Sequence, residues 1–234
     1  MTRVGVVTGL VKEAKLVTRA ARGLSAPDRP RLFSAAGDWR RAESGATALV
    51  DEGAEALLSF GVAGGLADGA RAGDLILASE VVMAGQPPIA TTDAWRHALA
   101  AGLARLGPCH SGPIVTVEKA ATPPPAKRRL AQSSGAIAVD MESYGVALAA
   151  QAAGIPLVVI RAVSDPVGRA VPAAAAGAIG ADGTLRLARL FGSLAHNPGE
   201  IPRMWRLGRD GWVAFSALSR VAVRIAPRGF LVAL

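Results

Sequence analysis

Three acidic residues, Glu13, Glu142 and Asp165, stand at or just beyond the ends of predicted buried strands. The apolar runs that precede them are Val4–Val7, Ala136–Val139 and Leu157–Val163. In open α/β sheets, ligands bind in the crevice at the carboxyl ends of the strands. We therefore expect the three carboxylates to converge on one crevice, where an acid and a base can act on the same substrate.

Each carboxylate also has a purely structural explanation. Glu13 suits the first turn of a helix, where the helix dipole favours a negative charge. Asp165 precedes Pro166 and suits a turn, and Glu142 suits a helix N-terminus. For one residue alone, such an explanation is about as good as catalysis, but three acids at three strand ends favour a site.

Other kinds of catalytic chemistry find no support in the sequence. No G-x-G-x-x-G or Walker loop follows the first strand, and no G-x-S-x-G motif occurs. The three histidines, His97, His110 and His196, lack metal-ligand spacing. The adjacent Cys109 and His110 suit an ordinary loop better than a catalytic dyad. We therefore predict no metal and no bound cofactor.

The elements that must position the acids are alternating strands and helices. Six near-continuous apolar runs indicate strands buried on both faces: Val4–Val7, Ala56–Phe60, Leu75–Ala78, Ile114–Val117, Ala136–Val139 and Leu157–Val163. Helical periodicity marks Glu13–Arg22, Ala94–Leu106 and Met141–Ala153. The alternation predicts a single-domain α/β three-layer sandwich, in which helices flank a central sheet. The pattern leaves open whether the sheet is mixed or parallel.

Composition excludes several classes of protein. The 234-residue chain is 51% hydrophobic with a net charge of +8, which suits a folded domain. It lacks nucleic-acid-binding signatures, so no nucleic-acid partner is expected. A single cysteine, Cys109, excludes an intrachain disulfide and favours a reducing compartment. The chain starts without a secretory signal, and Gly154 and Pro156 break its longest uncharged stretch, Ser143–Ile160, so we expect a cytoplasmic protein without a transmembrane span.

The C-terminal segment, residues 199–234, differs in charge from the body, residues 1–198. From residue 201 onward, six arginines stand against Asp210, a local charge of +5. One helical face collects the apolar residues Ala214, Leu218, Val221 and Ile225. Together with Trp205 and Trp212, this pattern predicts a basic amphipathic helix. It could pack on the core with its arginines solvated, or it could make peripheral contact with the inner membrane.

Two connecting segments are marked by their composition. Pro123–Arg129, which reads PPPAKRR, is predicted to be an exposed connection. Residues 166–183 are rich in Ala, Gly and Pro and are predicted to form a mobile loop near the site.

Four motifs resemble the purine nucleoside phosphorylase and methylthioadenosine nucleosidase superfamily, in its order and spacing over residues 4–190. They are VGVVTGLVKEA (4–14), FGVAGGL (60–66), AVDMES (138–143) and RAVSD (161–165). The resemblance implies one α/β domain with a mixed central sheet, usually in a dimer or larger homo-oligomer. It further implies a purine nucleoside as substrate.

A narrower resemblance is to the hopanoid-associated phosphorylase group within that superfamily. It rests on VEKAA (117–121), DMES (140–143) and the added basic tail. For this group the implied reaction is the removal of adenine from adenosylhopane, a nucleoside joined to a pentacyclic lipid.

The resemblance assigns roles to residues at the matching positions. Asp165 would be the general acid that protonates the purine N7, so it would have to carry a proton near neutral pH, which burial or a nearby acid favours. Ser164 would orient Asp165. Glu142 would accept hydrogen bonds from the ribose 2′- and 3′-hydroxyls, and Met141 would form an apolar floor under the ring.

Further positions follow from the same resemblance. Arg161 matches a residue that helps to hold the nucleophile, and Gly64 and Ala120 belong to the substrate pocket. Two residues depart from the hydrolytic relatives: Val62 replaces a hydroxyl residue that steadies the water, and Ala120 replaces an aromatic residue that lies against the purine. Both changes make the pocket roomier and more apolar, as a bulky lipid substrate would require.

Glu13 distinguishes hydrolysis from phosphorolysis. Hydrolytic members use a carboxylate at this position to activate water, whereas phosphorolytic members need a cationic pocket for phosphate. A carboxylate would repel the phosphate dianion by several kcal/mol, on the order expected at contact for an effective dielectric near 20. Asp38, where phosphate-binding members carry a glycine-rich loop, also favours hydrolysis. Arg40 and Arg41 keep phosphorolysis, with phosphate as co-substrate, as the alternative.

Three functions therefore compete. The first is a nucleosidase that acts on a lipid-linked adenosine, and the second is the same enzyme class acting on soluble methylthioadenosine or an ordinary purine nucleoside. The third is a membrane-associated scaffold without catalysis, which the three acids argue against.

Overall fold

Eight strands form one mixed sheet between helices in the computed structural model, which describes residues 3–121, 123–170 and 201–230. The strands are β1 Val4–Thr8, β2 Arg31–Ser34, β3 Ala56–Gly65, β4 Leu75–Val82, β5 Ile89–Ala90, β6 Cys109–Thr116, β7 Ala138–Asp140 and β8 Leu157–Asp165. The longer helices are α1 Val11–Ala20, α2 Trp39–Asp51, α3 Asp93–Leu103, α4 Pro124–Ser134, α5 Ser143–Ala153 and α6 Ile201–Ile225.

The sheet is organised around β3. This strand pairs parallel with β1 and β8 and antiparallel with β7. β8 pairs antiparallel with β4, β4 pairs parallel with β6, and β6 pairs parallel with β7. The five strands β3, β8, β4, β6 and β7 thus form a closed ring, while β1 and β2 extend the sheet on one side. The predicted α/β fold with a mixed central sheet is confirmed.

Helices cover both faces of the sheet with separate hydrophobic cores. On one face, α1, α3 and α6 pack against the sheet through residues that include Val17, Trp95, Leu99, Ile160 and Leu218. On the other face, α2 and α5 contribute Ala46, Leu49, Tyr144 and Ala147, which pack with Val159. Alternate residues of β8 serve the two faces, as the two-residue period of a strand requires.

All six predicted strands are present, and the three predicted helices begin within two residues of their predicted starts. Four elements were not predicted: β2, β5, α2 and α4. The prediction that Pro123–Arg129 is an exposed connection is wrong. Pro124 and Pro125 occupy the first turn of α4, where a missing N–H costs nothing, and Lys127 is completely buried.

The C-terminal helix α6 packs on the core. Its four predicted apolar-face residues are all buried: Ala214, Leu218, Val221 and Ile225. The predicted packing on the core is therefore observed, and the arginines of the helix are exposed. Peripheral contact with the inner membrane stays a prediction. The predicted boundary at 198/199 lies outside the described residues, and so does most of the predicted loop 166–183. Both stay predictions. Among the helices of the described residues, none combines the length and the apolar character needed to span a bilayer.

Candidate active site

The candidate site lies where β1 and β7 part along one edge of β3. β1 pairs with β3 as far as Ser59, and β7 begins to pair at Gly64. Because β8 occupies the other edge over this whole length, residues 60–63 have no strand neighbour on the β1 side within the described part of the chain. Diverging strands at their carboxyl ends create the kind of crevice in which α/β proteins bind ligands.

Glu13 fills part of this gap from the first turn of α1. Its side chain accepts hydrogen bonds from the backbone N–H of Val62 (2.8 Å to Oε1) and of Leu10 (2.8 Å to Oε2), and Gly9 N–H also contacts it. A Cβ at Gly61 would lie 2.7 Å from Oε1, so the carboxylate needs glycine there. Glu13 thus lies in the first turn of a helix, as its structural explanation requires, and it also binds β3 through Oε1.

Glu142 follows β7 and crosses the gap toward β1. A Cβ at Gly9, just beyond β1, would collide with Glu142 Oε1 and lie 2.9 Å from its Cδ. Only a glycine therefore lets the loop after β1 approach the carboxylate. Met141 lies beside Glu142, and both side chains are 3.9 Å from a Cβ placed on Gly37. The structure therefore brings Glu13, Met141 and Glu142 to one crevice.

Arg161 and Asp140 form the buried support of this crevice. Asp140 Oδ2 accepts hydrogen bonds from Arg161 Nε (2.9 Å) and Nη2 (2.7 Å), and Nη2 also donates to the hydroxyls of Ser59 (2.8 Å) and Ser143 (3.0 Å). The Arg161 guanidinium lies 3.6 Å from Glu142 Oε2. A fully buried arginine with this many partners fixes the carboxylate and its strand end in one geometry.

The charges of the crevice do not balance. The acids Glu13, Asp140 and Glu142 are all buried, and Arg161 is the cation that acts on them. Burial raises the pKa of Glu142 to about 8, opposed by Arg161 and reinforced by Asp140 and Glu13. Burial likewise raises the pKa of Glu13, against Arg161 and three backbone N–H groups. A raised pKa makes Glu13 a stronger base than an ordinary glutamate.

The raised pKa of Glu142 predicts that stability falls as pH rises. The folded chain keeps a proton that the unfolded chain loses above the ordinary glutamate pKa of about 4.3. The stabilisation is therefore complete at low pH and is lost as pH rises toward about 8. We expect the Tm to decline between about pH 5 and pH 9, and Glu142→Gln, which stays neutral, to flatten the decline. An equally steep decline in the variant would contradict this prediction.

Asp165 lies on the other side of β3, at the end of β8. Its backbone pairs with Gly64, and a Cβ at Gly64 would lie 3.2 Å from Asp165 Oδ2. The Ser164 hydroxyl lies 2.5 Å from Asp165 Oδ1. Gly61, against Glu13, and Gly64, against Asp165, are three residues apart on one strand, a rise of about 10 Å. Both carboxylates therefore lie against the same short stretch of β3, each at a different residue.

The neighbour of Asp165 is a base, which was not predicted. The Lys127 ammonium forms an ion pair with Asp165 Oδ2 and contacts the backbone carbonyls of Asp165 (2.8 Å), Pro166 (3.2 Å) and Arg169 (3.4 Å). The side chain of Lys127 is completely buried. The sequence predicted burial of Asp165 or an acid beside it. In a Pro- and Arg-rich segment, nothing distinguishes a buried lysine such as Lys127 from an exposed one.

Removal of the Lys127 charge should destabilise the fold. Loss of one partner of a buried ion pair costs about 3–5 kcal/mol, since the other charge is left unpaired. We expect Lys127→Met to lower the free energy of unfolding by about this amount, and Asp165→Asn in the same chain to recover part of it. The control is Lys119→Met, an exposed lysine. A double variant that loses the sum of both single effects would contradict the pairing.

Ala120 is the predicted site residue that no observed contact joins to the rest of the described site. It is exposed in the loop after β6. Glu118, two residues earlier, pairs with Arg40 at 3.0 Å, which brings this loop to the start of α2. The predicted position of Ala120 against a purine stays a prediction.

Asp38 caps α2 beside the crevice. Its Oδ1 accepts hydrogen bonds from the backbone N–H of Arg40 (2.8 Å) and Arg41 (3.1 Å). Helix N-terminal N–H groups are the groups that commonly bind phosphate, and here a carboxylate already occupies them. The Arg40 guanidinium stacks 4.4 Å from the Trp39 ring centroid and pairs with Glu118. Within residues 3–121, 123–170 and 201–230, no group of three or more His, Cys, Asp or Glu side chains could hold a metal ion.

The sequence profile of the phosphorylase superfamily matches residues 39–192. Because this range spans more than half of the chain, the protein belongs to the phosphorylase superfamily, and the prediction of an enzyme of this class is confirmed. A comparison with curated protein sequences found no match.

Solved structures confirm the fold. A 5′-methylthioadenosine/S-adenosylhomocysteine nucleosidase from Neisseria meningitidis matches with a TM-score of 0.72 and 15% identity over 96% of this chain and 98% of that chain. A point mutant of the Helicobacter pylori methylthioadenosine nucleosidase, solved with 5′-methylthioadenosine in its active site, gives 0.68 and 15% over 94% and 98%. Futalosine hydrolase from H. pylori gives 0.68 and 18% over 95% and 97%.

Proposed function

We propose that this protein is a nucleosidase that hydrolyses the N-glycosidic bond of a purine nucleoside and releases adenine. The observation that carries the proposal is the placement of two carboxylates, Glu13 and Asp165, along one stretch of β3. The two strand positions that the carboxylates contact, Gly61 and Gly64, are about 10 Å apart along β3, and the proposal places the nucleoside beside this stretch. Membership in the phosphorylase superfamily and the nucleosidase folds of the structural neighbours support the same reaction.

In the proposed reaction, water attacks the anomeric carbon and gives its proton to Glu13. The electrons of the broken C–N bond pass to the purine, and Asp165 delivers a proton to N7, so neutral adenine leaves. A carboxylate has about four acceptor positions, and three N–H donors use three of those of Glu13. About one position remains, which suits a single attacking water.

Lys127 bears on the state of the proposed acid. Its ammonium pairs with Asp165 Oδ2, so the proposed reaction requires a proton to reach this carboxyl before the purine leaves. Ser164, on the other carboxylate oxygen, orients the group.

In the proposal, the other predicted site residues bind the ribose and position the groups around it. Glu142 accepts hydrogen bonds from the ribose hydroxyls, which strengthen as positive charge develops on the sugar. Met141 lies under the ring, and Arg161, 3.6 Å from Glu142 Oε2, favours the ionised form of this carboxyl against the effect of burial. Gly64, where a Cβ would lie 3.2 Å from Asp165 Oδ2, leaves space beside the proposed acid.

The cap on α2 supports hydrolysis over phosphorolysis. Asp38 occupies N–H groups that a phosphate would need, and Glu118 neutralises Arg40. Phosphorolysis with Arg40 and Arg41 as anion ligands is the alternative. Adenine release measured with and without phosphate tests this point: a rate independent of phosphate is expected, and a rate that requires phosphate would overturn hydrolysis.

Adenosylhopane is the proposed substrate, on the basis of the resemblance of VEKAA (117–121), DMES (140–143) and the basic tail to the hopanoid-associated group. Val62 and Ala120 are small or apolar where soluble-substrate relatives carry polar or aromatic residues. The test incubates the protein with adenosylhopane and with 5′-methylthioadenosine and compares kcat/KM. Preference for adenosylhopane is expected, whereas no adenine from it would exclude this substrate.

A soluble methylthioadenosine-type nucleoside is the second candidate, favoured by the nucleosidases among the structural neighbours. A high kcat/KM for 5′-methylthioadenosine would favour this second candidate.

The proposal includes a homo-oligomer, as the resemblance implies. It also divides the chain into a catalytic domain, residues 1–198, and a basic C-terminal segment, residues 199–234.

A further inference from the structure

The outward side of α6 carries a second apolar stripe, opposite the face that packs on the core. In the part of the chain that the structure describes, three large apolar side chains are exposed, and all of them lie on this helix. They are Trp205 (69% exposed), Trp212 (71%) and Val223 (62%). Spacings of seven and eleven residues, about two and three turns, align them in one row roughly 27 Å long.

Exposed tryptophan is costly in water and is typical of a surface that meets a partner. The buried face of α6 has its own partners in Ala214, Leu218 and Val221, so packing of this helix on the core does not explain the tryptophans. The row of Trp205, Trp212 and Val223 is defined here as the outer stripe.

Positive charge flanks the outer stripe. The arginines of α6 and the turn after it are exposed: Arg203, Arg206, Arg209, Arg220, Arg224 and Arg228. The one acid of this segment, Asp210, is buried and pairs with Arg169 at 2.8 Å and Arg209 at 3.4 Å. Among the described residues, Arg206, Arg220, Arg224 and Arg228 have no acidic partner. A groove of about 480 Å³ beside Val223 is lined by Arg220 and Arg224.

We propose that the outer stripe and its arginines dock this protein peripherally on an anionic phospholipid surface. Tryptophan prefers the headgroup level of a bilayer, and arginines beside it bind the anionic headgroups. A row with positive charge along one side suits the plane of a membrane, which a helix can meet while its other side stays packed on the protein.

Docking would bring the candidate site close to the lipid. Arg169 follows Asp165 by four residues and forms the ion pair with Asp210, so the tryptophan half of α6 lies beside the end of β8. The docking proposal depends only on the exposed surface of α6. The purpose of docking, access to a nucleoside that carries a lipid, rests on the proposed function.

The experiment measures binding of the full chain to vesicles by sedimentation and by tryptophan fluorescence. We expect binding and a blue shift with vesicles of phosphatidylglycerol and phosphatidylcholine, and little of either with phosphatidylcholine alone. Trp205→Ala with Trp212→Ala should weaken binding tenfold or more, on the order expected for two interfacial aromatics. Arg220→Gln with Arg224→Gln should weaken it about 25-fold, at roughly fivefold per arginine.

The matched control is Arg128→Gln with Arg129→Gln, which removes two exposed arginines from α4. Equal weakening by this control would overturn a specific surface, and absence of wild-type binding would overturn docking. A change of oligomeric state in the tryptophan variant, without vesicle binding by the wild type, would assign the stripe to a second copy of the chain and also overturn the proposal. Vesicle binding needs no turnover, so its failure leaves the nucleosidase proposal standing.

Discussion

Asp165→Asn is expected to slow adenine release by about 10²–10⁴-fold, the usual contribution of general acid catalysis. An amide of the same shape keeps the contact with Ser164 but cannot give a proton to the purine. Because it also gives up the ion pair with Lys127, the folded fraction of the variant is measured together with its rate. Because neutral adenine leaves far more easily than its anion, kcat should carry most of the loss and KM little of it. The measurement is initial-rate kinetics on the nucleoside that the wild type turns over best.

The control for Asp165→Asn is Asp68→Asn, an exposed aspartate in the turn after β3. Asp68→Asn should leave the rate within about twofold of the wild type, since exposed substitutions away from a site have little effect. A wild-type rate in Asp165→Asn would refute the assignment of the acid. Absence of any turnover by the wild type would instead favour a scaffold that keeps the fold without catalysis.

Glu13→Gln is expected to lower kcat by a similar factor, about 10²–10⁴-fold, for a different reason. Glutamine cannot take a proton from water, and its amide NH₂ would face one of the N–H groups that now donate to Glu13, from Leu10 or Val62. The variant should therefore also lose some stability, because a donor is left without an acceptor. Rate against pH is the deciding measurement: the limb that reports ionisation of the base should disappear.

Glu55→Gln is the matched control for Glu13→Gln. Glu55 is exposed and likewise accepts a hydrogen bond from a backbone N–H, that of Arg3, at 3.0 Å. It should reproduce any general effect of the substitution without the loss of rate. A Glu13→Gln enzyme that keeps its rate would show that another group activates the water.

Periodicity was sufficient for the buried strands but not for the edge elements. β3 and β8 are near-continuous apolar runs because helices cover both of their faces, and such runs are visible in a sequence. β2 and α2 were not predicted, since RLFS (31–34) is only partly buried and α2 has charged residues in its first turns. The closed ring of strands depends on long-range pairing between β3 and β7, about which local patterns say nothing.

The same division holds for the candidate site. Glu13, Glu142 and Asp165 could be predicted because each follows a recognisable strand, and the sheet brings its strand ends together. Lys127 could not be predicted, because its burial comes from the docking of α4 on a distant segment. A lysine meets an aspartate 38 residues later in the chain, and only the tertiary fold makes them neighbours.

The late position of α6 in the chain has a consequence during synthesis. The apolar layer that contains Trp95, Leu99 and Ile160 also contains residues of α6, so its packing is completed only after α6 has been synthesised. At roughly 5–20 residues per second, the ribosome finishes α6 about 3–12 s after β8. For these seconds the nascent chain therefore exposes apolar residues that can bind other chains. Messages truncated before residue 201 should yield aggregates and chaperone-bound chains instead of a smaller enzyme.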